Sequence, residues 1–200
     1  MRLQNKIAIV TGAGGGFGEG VARRFADEGA KVAVVDIRAA EAERVAREIG
    51  AAAIALEADV GDADDVQRVV DQTKARFGAP NILVNNAGVT HKNRPLLEVD
   101  EAMFDHIFRV NVKSIFHFVR SIAPIMRDNG GGVILNVGST AGIRPRPGLT
   151  WYNATKGAVN LASKSLAVEL ASWKIRVNAI CPVIGETGLL EAFMGMPDTP

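Results

Sequence analysis

A single cysteine, Cys181, rules out an intrachain disulfide and any cysteine-rich metal site. The three histidines, His91, His106 and His117, share no metal or triad spacing, so they read as structural or exposed and no metal is expected. No apolar run approaches the roughly 20 residues that span a bilayer, and Met1 to Lys6 lead straight into a short strand without a signal-peptide pattern. Excess charge is lacking too. Lys and Arg number 23 against 22 Asp and Glu, a net +1, which gives no general attraction to nucleic acid or anionic membrane. These absences predict a soluble cytoplasmic protein with no nucleic-acid or membrane partner. What is present is a 200-residue chain, 48% hydrophobic, long enough for one domain with a substantial core.

Short β-branched runs alternate with longer amphipathic stretches, the pattern of a parallel sheet covered by helices. Strands are predicted at Lys6–Val10, Lys31–Asp36, Ala53–Ala58, Ile82–Asn85, Val133–Val137 and Arg176–Ile180. Helices are predicted near Gly18–Glu28, Ala39–Ile49, Ala63–Phe77, Glu101–Met126 and Trp151–Ala171. Gly29, Gly50, Gly78 and Gly130 punctuate helix ends. The expected fold is α/β: a doubly wound, mostly parallel sheet in three layers, one Rossmann domain over residues 1–200. After Cys181-Pro182 no further strand is visible, and the apolar residues Leu189, Leu190, Phe193, Met194 and Met196 have helical spacing. A mobile substrate lid near 185–200 is expected, with a permanently docked helix as the alternative.

The turn from Thr11 to Gly18 joins the first strand to the first helix. Gly12, Gly14, Gly15, Gly16 and Gly18 let the backbone approach a bulky anion, and the helix start offers free N–H groups to phosphate. Phe17 lies within the same turn. Asp36 ends the second strand, where a carboxylate accepts from an adenosine ribose and opposes a 2′-phosphate. Ile37 follows it. Asp36 favours NAD over NADP, while Arg38 tempers that preference because arginine accepts a phosphate. Asp59-Val60 places a carboxylate either near the adenine amino group or at the N-cap of the 63–77 helix, and both readings stay open. Asn85-Asn86-Ala87-Gly88 follows the fourth strand at the ligand-binding edge, though asparagines also stabilise a plain turn.

Tyr152 and Lys156 stand four apart on a predicted helix and so share a face. A lysine ammonium beside a phenol is expected to lower its pKa toward general-base use. Ser139 ends an apolar run shortly before them, and a strand-end cap is its plain reading.

Taken in order, Thr11 to Gly18, Asn85 to Gly88, Asn111, Ser139, Tyr152-Asn153-Ala154-Thr155-Lys156, Pro182 and Thr187 resemble the short-chain dehydrogenase/reductase family of the single-domain type. Members of that family usually carry a further helix and a seventh strand that this sequence does not hold. The resemblance implies hydride transfer between a nicotinamide and a carbonyl or alcohol carbon. Tyr152 would exchange the proton, Ser139 would hold the reacting oxygen, and Lys156 would bind the nicotinamide ribose. Asn111 would hold a water linking Lys156 to solvent, and Thr187 would contact the cofactor near its carboxamide or diphosphate. Pro182 belongs to the same implied cofactor site, with Ala87 and Gly88.

Within the family the chain resembles 3-oxoacyl carrier-protein reductases, with sugar (glucose-like) and other secondary-alcohol dehydrogenases close behind. A non-catalytic dinucleotide-sensing protein would be expected to break the catalytic set, and a sugar-nucleotide epimerase would carry a different glycine turn. The family also implies a homotetramer or dimer pairing the 101–126 and 151–171 helices. Basic clusters at His91-Lys92-Asn93-Arg94 and Arg144-Pro145-Arg146 sit on ligand-side loops. Solvated faces are their plain reading, and an anionic substrate or an acyl-carrier protein is the alternative.

Overall fold

Valine, isoleucine and alanine fill both faces of the central strands, which is how a parallel sheet covered on two sides must read. Ala8, Ile9, Val10 and Val32 to Val35 are wholly buried. In the computed structural model, which describes residues 1–183, 185 and 190–194, six parallel strands lie in the order β3-β2-β1-β4-β5-β6. They are β1 (Ile7–Thr11), β2 (Lys31–Asp36), β3 (Ala53–Glu57), β4 (Ile82–Asn85), β5 (Gly132–Val137) and β6 (Ile175–Ile180). The helices are α1 (Gly16–Asp27), α2 (Ala39–Ile49), α3 (Ala63–Phe77), α4 (Glu101–Phe108), α5 (Ser114–Asp128), α6 (Thr150–Glu169) and α7 (Leu190–Met194). The expected α/β, doubly wound architecture is what forms.

Alternate residues along a strand serve opposite faces. Val10, Val32 and Val34 pack with Ala22 of α1 and Val45 of α2, whereas Ile9, Val35 and Leu83 pack with Val66 of α3 and with Phe118 and Ile122 of α5. Gly29, Gly50, Gly78 and Gly130 all take positive φ at or just beyond helix ends, as the sequence indicates. No helix among the described residues is long and apolar enough to cross a membrane.

The predicted Glu101–Met126 helix is a correction. It is broken by a π-helical turn over Arg109–Lys113. Asn111 lies inside this turn, and its amide ties the Val89 segment to Thr155 of α6. Such π turns recur at functional sites. The chain order reverses between β1, β2 and β4, so the carboxyl ends of β1 and β4 open a crevice. Of the expected lid over 185–200, residues 186–189 and 195–200 lie outside the described residues, and Thr187 is among them.

Candidate active site

The glycine turn is built by its neighbour. Thr11 Oγ1 accepts from the N–H groups of Asn86 and Ala87, both at 3.0 Å, and Asn86 Nδ2 donates to the carbonyls of Thr11 (2.8 Å) and Gly12 (3.0 Å). Gly12 takes φ +61, and a Cβ there would come within 2.9 Å of the Ala87 Cα. Only glycine fits. Helix α1 then starts with Gly15 as its N-cap and no side-chain cap. Its first N–H groups therefore face the crevice without a side-chain acceptor, which suits a phosphate. This cradle fits the diphosphate of a dinucleotide on its own geometry.

Asp36 is buried at the end of β2 and accepts from the Gly14 N–H at 2.9 Å and the Arg38 N–H at 3.0 Å. Arg38 Nε stands 3.4 Å from the same carboxylate. Asp59 does not cap α3, because Asp62 does, accepting from Asp64 and Asp65 at 2.9 and 3.0 Å. The N-cap reading of Asp59 is thereby corrected. Asp59 instead turns inward, accepts from the Gly61 N–H at 2.8 Å and pairs with Arg109 of the π turn at 2.8 Å.

At the other end, Ser139 caps the short turn Thr140–Gly142, its hydroxyl accepting from the Ala141 N–H at 3.0 Å. Asn160 of α6 fixes its carbonyl at 3.1 Å. The plain and the chemical readings of this serine coexist. Tyr152 and Lys156 emerge from α6 and are both buried. The lysine Nζ donates to the Val137 carbonyl at 2.8 Å and stands 5.8 Å from the tyrosine ring centre.

Burial works against the expected lowering of the Tyr152 pKa by Lys156. Burial raises the Tyr152 pKa, against which the Ser139 hydroxyl and the Arg146 charge pull it down. No hydrogen bond of ordinary geometry closes between Ser139 and the phenol. The Lys156 pKa falls to about 8 because burial disfavours the ammonium, with Cys181 opposing. The i,i+4 spacing brings the two side chains to one face, but their depth decides the sign. Asn111 is likewise engaged: its Oδ1 accepts from Val89 N–H at 2.8 Å, while Nδ2 donates to Val89 O at 2.9 Å and Thr155 Oγ1 at 3.0 Å. This side chain braces the β4 loop against α6.

One cavity of about 790 Å³ joins both ends. It is lined by Gly12, Gly14, Gly15, Gly16, Phe17, Asp36, Ile37, Asp59, Val60, Asn86, Ala87, Gly88, Ser139, Tyr152, Lys156 and Pro182. Gly18 and Asn111 stand behind the lining. Of the two basic clusters only Arg146 reaches the cavity, and Arg144 is exposed. His91 is buried, which fits its structural reading, and Cys181 is half-buried, with its Sγ 3.4 Å from Asn160 Oδ1.

Sequence reasoning missed Arg44, Arg109 and Leu149 in the lining. Arg44 had a signal: Glu41, Arg44 and Glu48 recur at helical spacing along α2. Phe193 of α7 packs its ring edge against Tyr152, with centres 5.1 Å apart. Asn93 donates its N–H to the Ala192 carbonyl at 2.9 Å, which seats α7 beside the cavity.

Comparison with known proteins places this arrangement among relatives. Residues 6–196 match the profile of a family described as short chain dehydrogenase. A 4-formylbenzenesulfonate dehydrogenase of Comamonas testosteroni is 46% identical over 203 aligned positions, covering 100% of this chain and 81% of that protein. A 2-(R)-hydroxypropyl-CoM dehydrogenase of Xanthobacter autotrophicus is 38% identical, covering 97% of this chain and 80% of its own length. The crystal structure of a 3-ketoacyl-(acyl-carrier-protein) reductase from Brucella melitensis complexed with NADH superposes with a TM-score of 0.95 at 52% identity, covering 96% of this chain and 81% of that one.

Proposed function

The chain belongs to the short-chain dehydrogenase family, and on that premise we propose that it reduces a 3-oxoacyl thioester or a similar ketone with NADH, or runs the reverse oxidation. It is an oxidoreductase acting on CH–OH groups with a nicotinamide dinucleotide. One observation carries the finer reading: Ser139, Tyr152 and Lys156 line the same cavity as the glycine turn and Asp36. Residues 1–200 would act as one cofactor-binding domain in the cytoplasm.

The α1 N-terminus and the glycine turn would hold the diphosphate, and Asp36 the adenosine ribose. Ile37, Asp59 and Val60 would border the adenine, Asn86 to Gly88 and Lys156 the nicotinamide side, and Pro182 and Thr187 its far edge. NAD is preferred over NADP because the Asp36 carboxylate opposes a 2′-phosphate. When bound, a nicotinamide would supply or take the hydride, and the remaining chemistry falls to side chains. Tyr152, whose ionisation burial disfavours, donates its proton to the carbonyl oxygen while Ser139 holds that oxygen. Lys156 anchors the ribose hydroxyls. Asn111 fixes the loop and helix between which these groups meet.

A second reading, a dehydrogenase of another small alcohol, is favoured by relatives named as dehydrogenases of 4-formylbenzenesulfonate and of 2-(R)-hydroxypropyl-CoM. The homotetramer proposed for this family type is supported by exposed Ala154, Leu161 and Val168, which form one outer stripe on α6. Light scattering that gives a monomer at micromolar concentration would reject it.

The function is tested by following NADH fluorescence against 3-oxoacyl thioesters, ketones, aldehydes and sugars. Turnover of a thioester or ketone is expected. NADH binding with no turnover of any compound would leave a dinucleotide sensor instead.

A further inference from the structure

We propose that Arg146 forms an anion subsite at the substrate end of the cavity, so that preferred substrates carry a carboxylate, sulfonate or phosphate beyond the reacting carbonyl. The inference rests on reading this cavity as the site of carbonyl reduction.

Most cations lining the cavity are already matched. Arg38 lies 3.4 Å from Asp36, Arg44 lies 2.8 Å from Glu19, and Arg109 lies 2.8 Å from Asp59. Lys156 is buried against the Val137 carbonyl. Arg146 differs. Its side chain makes one hydrogen bond among the described residues, from Nη2 to the Val183 carbonyl at 3.3 Å. A guanidinium carries five donors, and its planar fork matches a carboxylate, sulfonate or phosphate edge.

The backbone beneath this arginine is held firmly. Pro145 and Pro147 flank it and fix φ on either side. Asn153 Nδ2 donates to the Arg146 carbonyl at 2.8 Å, Asn93 Nδ2 to the Pro147 carbonyl at 3.1 Å, and Arg94 N–H to the Gly148 carbonyl at 3.1 Å. A charge on so fixed a pedestal loses little freedom on binding. It also stands near the phenol, since its field is one of the influences that lower the Tyr152 pKa against burial. An anion seated there would sit beside the reacting end of the cavity and not at the glycine turn. Arg144, two residues earlier, is exposed and outside the cavity, so it serves as an internal control.

Calorimetric titration of the NAD⁺-saturated protein with benzoate and with benzamide tests the subsite without any turnover. Benzoate should bind about tenfold more tightly than benzamide, the value of one charge-assisted hydrogen bond. Arg146→Gln should erase that preference, Arg146→Lys should keep part of it, and Arg144→Gln should keep all of it. Equal affinities in the parent protein, no saturable benzoate binding at millimolar concentration, or an intact preference in Arg146→Gln would each overturn the proposal. So would a matching loss of NAD⁺ affinity in Arg146→Gln, which would assign the arginine to the cofactor. Failure of the carbonyl-reduction reading shows separately, as absent NADH oxidation beside an intact benzoate preference.

Discussion

The two halves of the molecule hold their polar groups by different means. From Arg2 to Arg68, ion pairs dominate: Arg23 with Glu19, Arg44 with Glu19, Glu41 and Glu48, Arg24 with Glu28, and Arg38 with Asp36. Beyond the π turn, the described residues hold one such pair, Arg127 with Asp128. Around the substrate end the buried polar network, Lys156 apart, is made of neutral side chains. Asn85 donates to Asn136 at 2.8 Å, Asn136 to Ser163 at 2.9 Å, and Asn111 to Thr155 at 3.0 Å. The division follows the work proposed for each half. A charged, open rim suits the adenosine and phosphate end of a dinucleotide. Proton transfer needs a dry site in which directional hydrogen bonds fix each atom. Salt and acid should therefore act on the first half, and changes of a single atom on the second.

The largest test of that contrast is Tyr152→Phe. Loss of the only proposed proton donor should cut turnover by roughly 10²–10⁴-fold, while NADH affinity measured by fluorescence stays close to that of the parent. Turnover above half of the parent value would remove the tyrosine from the mechanism. Because this is the only tyrosine in the chain, its ionisation can be followed by ultraviolet absorbance. Burial raises its pKa, so the tyrosinate signal should appear above the pH at which a free phenol titrates. Alcohol oxidation, which needs the ionised form, should climb into the alkaline range, whereas ketone reduction should not.

Asn136→Ala comes next. It strands the Asn85 amide and removes the partner of Ser163 in a buried site. The expected loss is about 2 kcal/mol of unfolding free energy, read from urea midpoints. A loss no larger than that of a surface ion-pair variant would erase the distinction between the halves.

Asp36→Ala is a smaller effect on the other side. It removes the acceptor for the ribose and frees Arg38 for a phosphate, so the NADH preference over NADPH should narrow about tenfold. Dissociation constants that already favour NADPH in the parent would reverse the cofactor assignment.

Element boundaries and the order of motifs were legible because period and punctuation are local. Strand β2 and helices α2 and α3 begin and end as Lys31, Ala39 and Ala63 suggest, with Gly50 and Gly78 closing the helices. What depended on depth was not legible. Tyr152 and Lys156 announce a shared face, but only their burial sets the direction of both pKa shifts. Asp59 was open between a cap and a cofactor contact, and the Asp62 cap together with the Arg109 pair turns it toward the cavity. Arg144 and Arg146 read as one cluster, though only one enters the cavity. Asn111 was legible as a residue and not as a brace, since its partners Val89 and Thr155 are remote in sequence.

The smallest expected effect lies in the charged half, at Glu19. Arg44 donates to it at 2.8 Å, and the same guanidinium reaches the Gly14 carbonyl at 3.1 Å, so this pair links α1 and α2 to the glycine turn. The Arg44 hydrogen bond, opposed by some burial and helped by Arg23, lowers the Glu19 pKa to about 2 from an ordinary value of 4.5. A carboxylate with a depressed folded pKa stabilises the fold above its unfolded pKa. It loses that contribution as pH falls from about 4.5 toward about 2. The pair is partly solvated, with 21% of the Glu19 and 39% of the Arg44 side chain exposed, so the full value should stay below about 1 kcal/mol. Glu19→Gln should therefore lower Tm slightly at neutral pH, converge with the parent near pH 2, and lose most of its difference in molar salt. A gap that persists unchanged in salt and acid would mean that Glu19 acts by packing. The glycine turn would then be held without charge, and the contrast between the halves would fail at its most exposed point.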